Sequence, residues 1–143
     1  MDNRFEIIPG FYIAKTESLT DNYENSISRI QTIINCDNDL NFIGFASQYN
    51  NEDIKKNLNA YQVSKITEYF IKSATIIYDS LRNNKSIIVV SKNCKQSAPS
   101  IALTFLMKYG NLPILEAIKI LRTKKIDIFE SILVYELSLL RIN

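Results

Sequence analysis

The 143-residue sequence contains no histidine, and its only two cysteines are Cys36 and Cys94. Histidine is the side chain that proteins use most often as a general base near neutral pH, so its absence excludes Ser-His and Cys-His catalysis. The two cysteines lack the spacing of a metal site and have no histidine to complete one. We therefore predict two free thiols, with Cys36 buried beside a strand, and neither a metal nor a cofactor.

The chain also lacks a strong net charge, because 17 basic residues are balanced by 15 acidic ones. A surplus of +2 indicates neither a nucleic-acid partner nor binding to an acidic membrane surface. No apolar run approaches the roughly 20 residues of a membrane-spanning helix. The start, MDNRFEIIPG, lacks the basic-then-apolar layout of a signal peptide. We therefore expect a protein of the reducing cytoplasm.

Asparagine, isoleucine and lysine are abundant, as in proteins from AT-rich genomes, including those of some viruses. If the source is viral, the virion becomes a second expected location. The composition is 46% hydrophobic and 22% charged, which is typical of a globular protein. The length suits one domain with one core, so we predict a single domain over residues 1–143.

Apolar patterning predicts strands alternating with helices. A turn at Pro9-Gly10 leads into the first predicted strand, and the last predicted strand, SIIVV, has the continuous apolar run of a strand buried on both faces. The predicted strands cover residues 11–14, 26–36 and 86–90, and the predicted helices cover 61–84, 99–110, 112–125 and 128–142. This order predicts an α/β fold with a mainly parallel central sheet of four to five strands flanked by helices.

Residues 37–60 are polar apart from FIGFA, and we predict a short strand within a long, mobile surface connection. The sequence leaves open whether this segment covers a site or forms a recognition surface.

Residues 91–98 join the buried strand to an apolar helix and contain no glycine, arginine or histidine. In an open parallel sheet, ligands collect beyond the carboxyl ends of the strands, where the following helix presents its N-terminus. The layout is therefore that of an anion site, although it lacks glycine, arginine and histidine.

Several segments together resemble the dual-specificity protein phosphatases of the cysteine-dependent tyrosine phosphatase superfamily. The resemblance spans nearly the whole chain and rests on PGFYIAK, IQTIINC, ITEYFIKSATIIYDSLRNNKSIIVV, PSIALTFLMKYG and IFESILVYELSLL. The loop of that family runs His-Cys-x-x-Gly-x-x-Arg-Ser/Thr, and PSIALTFLMKYG aligns with the helix that follows it without gaps. The resemblance implies the fold of that family.

This alignment assigns each catalytic position of the family to one residue of this chain. Val90 stands at the histidine position and Ser91 at the position of the nucleophilic cysteine. Cys94 stands at the glycine position, Ser97 at the arginine position and Ala98 at the position of the following Ser/Thr.

The resemblance implies that the phosphatase chemistry is lost. The general acid of the family is an aspartate before the long helix, and this chain has no aspartate between Asp53 and Asp79. Ser91 presents an alcohol that needs an adjacent base, and Ser97 offers one uncharged hydroxyl where arginine binds phosphate bidentately. We therefore predict a catalytically inactive phosphatase-like protein, a pseudophosphatase.

The first functional hypothesis is that this pseudophosphatase binds a protein partner as a regulator, scaffold or assembly factor. A second is a weak reader of phosphoprotein or another anion, which would use the loop residues Ser91, Lys92, Asn93, Cys94, Lys95, Gln96 and Ser97. A third is a self-associating structural protein, most simply a homodimer. A remote fourth is an enzyme with Cys94 as a relocated nucleophile, although six residues later stands Ser100 and not an arginine.

Overall fold

The structure, a computed structural model, describes residues 4–16, 30–36, 60–91, 97–124 and 126. These residues form four strands and three helices. The strands are β1 (Arg4–Ile8), β2 (Phe11–Lys15), β3 (Ile30–Asn35) and β4 (Ser86–Ser91), and the helices are α1 (Ala60–Arg82), α2 (Ser97–Tyr109) and α3 (Ile114–Thr123).

The four strands form one sheet in the order β1-β2-β4-β3. Strand β4 pairs in parallel with β2 on one side and with β3 on the other, whereas β1 is antiparallel to β2. The predicted α/β fold with a mainly parallel sheet of four to five strands is confirmed. The turn at Pro9-Gly10 is predicted from the sequence, whereas β1 before it is not, since Ile7 is the only buried residue of that strand.

Strand β4 lies in the centre of the sheet, and every residue from Ile87 to Ser91 is fully buried. Alternate side chains of a strand point to opposite faces. Ile87 and Val89 belong to the main core with the helices, whereas Ile88 and Val90 pack with Ala14 in a second cluster. The prediction of a central strand buried on both faces is confirmed.

Helix α1 packs one apolar stripe against α2 and the sheet. Phe70, Ala74 and Ile77 of this stripe are fully buried in the main core. The helix ends at Arg82, and Asn84 then takes a left-handed conformation with φ of 60°. Asparagine tolerates this conformation better than most residues, so the chain turns sharply into β4.

Helices α2 and α3 differ from their predicted bounds. Helix α2 begins two residues before the predicted start, and Gly110 lies just beyond its end. Helix α3 is shorter than predicted at both ends, because Pro113 is its N-cap and Lys124 its C-cap. Among the aromatic residues, Phe11 and Phe105 join the sheet to α2 through an edge-to-face contact with ring centroids 5.4 Å apart.

Several predictions lie outside the described residues. They concern residues 37–59 of the polar connection predicted over 37–60, with its short FIGFA strand, and the last helix predicted over 128–142.

Candidate functional site

Three parallel strands end side by side at one edge of the sheet. Ser91, the last residue of β4, pairs in register with Lys15, the last residue of β2. Asn35, the last residue of β3, pairs with Val90. Helix α2 begins at Ser97 after a connection of five residues, so its N-terminus lies near the same edge. This arrangement is the strand-to-helix geometry at which α/β proteins bind ligands.

Ser91 lies on the face of the sheet that the helices cover, because it alternates with Val89 and Ile87. Its side chain is fully buried. Its Oγ has no hydrogen-bond partner among the residues that the structure describes. A buried hydroxyl without a partner destabilises a fold by about 1–3 kcal/mol, so this atom is the conspicuous polar feature of the site.

Val90 points to the opposite face and is fully buried against Ile88 and Ala14. Val90, which the sequence resemblance predicts to stand at a histidine position, is thus part of an apolar cluster. The valine side chain contributes to packing and cannot transfer a proton.

The first residues of α2 come from the predicted loop, so the prediction that residues 91–98 form a loop is wrong at both ends. Ser91 belongs to β4, and Ser97 and Ala98 open α2. Ala98 is fully buried in the main core and contributes to the packing of the helix. The physical reason is that Ser91 extends β4 by pairing with Lys15 of β2, and the buried Ala98 packs the first turn of α2 against the core.

The first backbone N–H groups of a helix have no partner within that helix. In α2 these groups lie at the edge where Ser91 is buried. Farther into the helix, the buried hydroxyl of Thr104 donates to the carbonyl oxygen of Ser100 at 2.8 Å. The contrast shows that one buried hydroxyl of this region is satisfied by the backbone, whereas Ser91 Oγ has no such partner among the described residues.

The central loop residues, Lys92, Asn93, Cys94, Lys95 and Gln96, lie outside the described residues. Their predicted part in anion binding stays a prediction. Of the two cysteines, Cys36 is buried beside β3, as predicted, and forms no disulfide bond with any described residue.

Sequence reasoning missed Lys15 and Asn35 as neighbours of the site. Lys15 lies on the same sheet face as Ser91, since residues paired across parallel strands point the same way, and its side chain is exposed. The sequence indicates the common edge but not these two residues, because the predicted strands end at Ala14 and Cys36 and pairing between distant segments sets the register. Parallel strands end at a common edge, so the last residue of each predicted strand is a candidate neighbour.

The described residues contain no group of three or more histidine, cysteine, aspartate or glutamate side chains that could hold a metal ion. In the same part of the chain, every helix is too short or too polar to cross a membrane.

The segments that form the central parallel strand and the helix after it lie within a stretch of sequence that matches a known family. Residues 11–140 match the family described as dual specificity phosphatase, catalytic domain. This span covers most of the chain, so the protein belongs to that family. The resemblance noted in the sequence is confirmed for the family and the fold. No curated protein matches the chain significantly.

Solved structures support the same fold. A leucine rich repeat and phosphatase domain containing protein from Entamoeba histolytica has a TM-score of 0.69 and 18% identity, over 97% of this chain and 90% of that one. DUSP15 has a TM-score of 0.69 and 15% identity, over 98% and 88% of the two chains. The human tyrosine phosphatase-like serine/threonine/tyrosine-interacting protein has a TM-score of 0.68 and 16% identity, over 96% and 94%. At these identities the similarity shows the fold alone.

Proposed function

We propose that this dual-specificity phosphatase-like domain is catalytically inactive and acts by binding a protein partner, as a regulator, scaffold or assembly factor. The observation that carries the proposal is the pair of serines at the two positions that matter most for catalysis. The sequence resemblance aligns Ser91 with the nucleophile of the family and Ser97 with its arginine. We place this function in the cytoplasm, or in the virion if the source is viral.

The surroundings of Ser91 support this proposal. A serine nucleophile needs a base within hydrogen-bond reach, and Ser91 Oγ has no partner of any kind among the described residues. Ser97 carries no charge to stabilise a transferring phosphoryl group. In comparable sites, the loss of one preorganised donor reduces transition-state stabilisation by about 2.7–4 kcal/mol.

A binding role has a counterpart on the same fold. One structure with a TM-score of 0.68 is that of a human protein named tyrosine phosphatase-like and serine/threonine/tyrosine-interacting. Its name supports the idea that this fold is used for interaction.

Stepwise restoration of the family residues tests the proposal. We expect Ser91→Cys alone to stay inactive, because a thiolate without the bidentate arginine has no clamp for phosphate. The double variant Ser91→Cys with Ser97→Arg should gain a cysteine-bound phosphate and slow release of para-nitrophenol from para-nitrophenyl phosphate. The slow rate follows from the missing general acid.

The matched control is Ser91→Cys with Ser97→Lys, which restores the charge but not the bidentate geometry. It should form less phosphoenzyme in mass spectrometry than the arginine variant. If Ser91→Cys alone were as active as the double variant, Ser97 would not stand at the arginine position and the assignment would be wrong.

The binding half of the proposal needs its own test. A tagged chain should retain a protein from the native host, and a version with residues 37–60 shortened should lose it if this segment is the recognition surface. Retention of the same partner by both versions would place recognition elsewhere on the domain. If neither the shortened version nor any surface variant bound less of the partner, the binding would not be specific, which would contradict the proposal.

A second function, weak reading of phosphate groups, is favoured by one specific observation. The hydroxyl of Ser91 is buried without a described partner near the N-terminus of α2, a location that attracts anions. Lys15 adds a cation at the end of the neighbouring strand.

Calorimetry with inorganic phosphate and with phosphotyrosine tests this second function. Binding should weaken in Lys15→Ala and in the pair Lys92→Ala with Lys95→Ala. Lys72→Ala is the matched control, because that lysine is exposed on α1 and pairs with Glu68 at 3.3 Å. Equal heats of binding for all variants, or no heat of binding with the wild-type protein, would exclude phosphate binding at this edge of the sheet.

A further inference from the structure

A groove of about 410 Å³ lies at the end of the sheet opposite to Ser91. It is formed where α1 and α2 end and where β1 turns into β2. Its apolar lining comes from Ile8, Tyr78, Leu81, Phe105, Leu106 and Tyr109. Open apolar clefts of this size on a small domain are typical of interaction sites.

One wall of the groove is a pair of tyrosine rings. Tyr78 and Tyr109 stack with centroids 4.3 Å apart and an interplanar angle of 8°. The hydroxyl of Tyr109 is hydrogen-bonded to Thr75 Oγ1 at 3.0 Å. These contacts fix the rings, so the groove is a preformed surface and a ligand need not order it.

The groove has cations beside its aromatic wall. The guanidinium carbon of Arg82 lies 5.6 Å from the ring centroid of Tyr78, and Lys108 Nζ lies 5.6 Å from that of Tyr109. Asp79 approaches Arg82 at 3.6 Å in an exposed ion pair, which is a weak interaction. An occupant that combines an apolar side chain with a carboxylate would therefore complement the groove.

The chain has an apolar side chain beside a carboxylate shortly after the last groove residue in the sequence. Leu115 is 68% exposed and has the highest exposure among the exposed large apolar side chains of the described residues. The next residue, Glu116, is exposed and makes one long contact with Lys119 at 3.5 Å. Helix α2 ends at the groove residue Tyr109, and Leu115 lies in the first turn of α3, which begins at Ile114. The projecting leucine and the groove thus belong to the same end of the domain.

We propose that this end of the domain binds a second copy of the chain, with Leu115 of each copy in the groove of the other and Glu116 facing Arg82. A two-fold interface uses the same surface patch on both partners, so it needs a projection and a matching cavity close together on one molecule. The apolar groove, its cations and the Leu115-Glu116 pair meet this requirement. The proposed interface lies at the end of the sheet opposite to Ser91, so the proposal does not depend on phosphatase chemistry.

Sedimentation equilibrium over a concentration series tests the proposal on the full chain. Wild-type protein should shift with concentration from the monomer mass of 16.5 kDa to twice that mass. Leu115→Asp should raise the dissociation constant at least about tenfold, because it removes the apolar anchor and places a charge in the groove. Since Leu115 is exposed, the variant should keep its circular dichroism spectrum.

Ile76→Asp is the matched control. Ile76 is also an exposed apolar residue, at 46%, but it does not line the groove. It should leave the dissociation constant unchanged within about twofold. An equal loss in both variants would mean that general surface hydrophobicity, and not the groove, drives association, and the proposal would be wrong.

A charge exchange tests the predicted pairing of Glu116 with Arg82. Arg82→Glu and Glu116→Arg should each weaken the dimer, and the double variant should recover most of the loss, because the opposite charges meet again. Wild-type protein that stays monomeric throughout, or a dimer that Leu115→Asp does not affect, would overturn the proposal. Higher assemblies without a closed dimer would overturn the reciprocal arrangement.

Discussion

Replacement of Ser91 by alanine should stabilise the domain, although the residue lies in the central strand and is fully buried. The reason is its hydroxyl, which has no hydrogen-bond partner among the described residues. An unsatisfied buried polar group destabilises a fold by about 1–3 kcal/mol, and alanine removes it. The lost oxygen gives up several dispersion contacts of about 0.1–0.2 kcal/mol each, which offsets part of the gain.

The net expectation for Ser91→Ala is a gain of about 1 kcal/mol in the free energy of unfolding. For a domain of this size, that corresponds to a rise in Tm of about 2–4 °C. Urea unfolding followed by circular dichroism measures the effect as an increase in the midpoint at an unchanged m value.

Thr104→Val is the matched comparison. Thr104 is also fully buried, but its hydroxyl donates to the carbonyl oxygen of Ser100 at 2.8 Å. Its replacement by a residue of similar shape should lower the free energy of unfolding by about 0.5–1.5 kcal/mol. A loss of stability in Ser91→Ala as large as that in Thr104→Val would refute the reasoning, since it would reveal a partner for Ser91 Oγ.

Two further predictions concern the frame of the domain. Phe11→Ala should lower the free energy of unfolding by about 3–5 kcal/mol, because Phe11 is fully buried and contacts Phe105 edge-to-face. In the same urea titration, the control Leu115→Ala should change the free energy of unfolding by less than about 0.5 kcal/mol, because Leu115 is exposed. Gly10→Ala should destabilise by about 1–3 kcal/mol in thermal unfolding, because φ at Gly10 is +91° and an added Cβ would lie 3.0 Å from Leu81 Cδ2. A neutral Gly10→Ala would show that the turn relaxes freely.

The strongly patterned elements were predictable from the sequence. The apolar run of β4 is buried on both faces, and the stripe of α1 supplies Phe70, Ala74 and Ile77 to the core. In both elements many apolar residues repeat at the spacing of the strand or helix, so the periodicity alone predicts which side chains are buried. Strand β1 was not predictable in this way, because its antiparallel pairing with β2 depends on the turn at Gly10 and on a partner strand.

The candidate site was predictable in its position and only partly in its composition. A strand followed by a short polar segment and an apolar helix indicated an anion site, and Ser91 does lie at that strand end. The sequence did not show that the hydroxyl of Ser91 is buried on the helix-covered face, because this depends on the register of β4 within the sheet. The proximity of Lys15 was missed for the same reason, since pairing between distant segments sets it.

The most direct test of the proposed inactivity is hydrolysis of para-nitrophenyl phosphate by the purified wild-type chain, measured beside Ser91→Ala. We expect both proteins to release para-nitrophenol at the rate of buffer alone, because on our proposal the residues at positions 91 and 97 supply neither an activated nucleophile nor a bidentate contact to the phosphate. Turnover by the wild-type protein that disappears in Ser91→Ala would contradict the account.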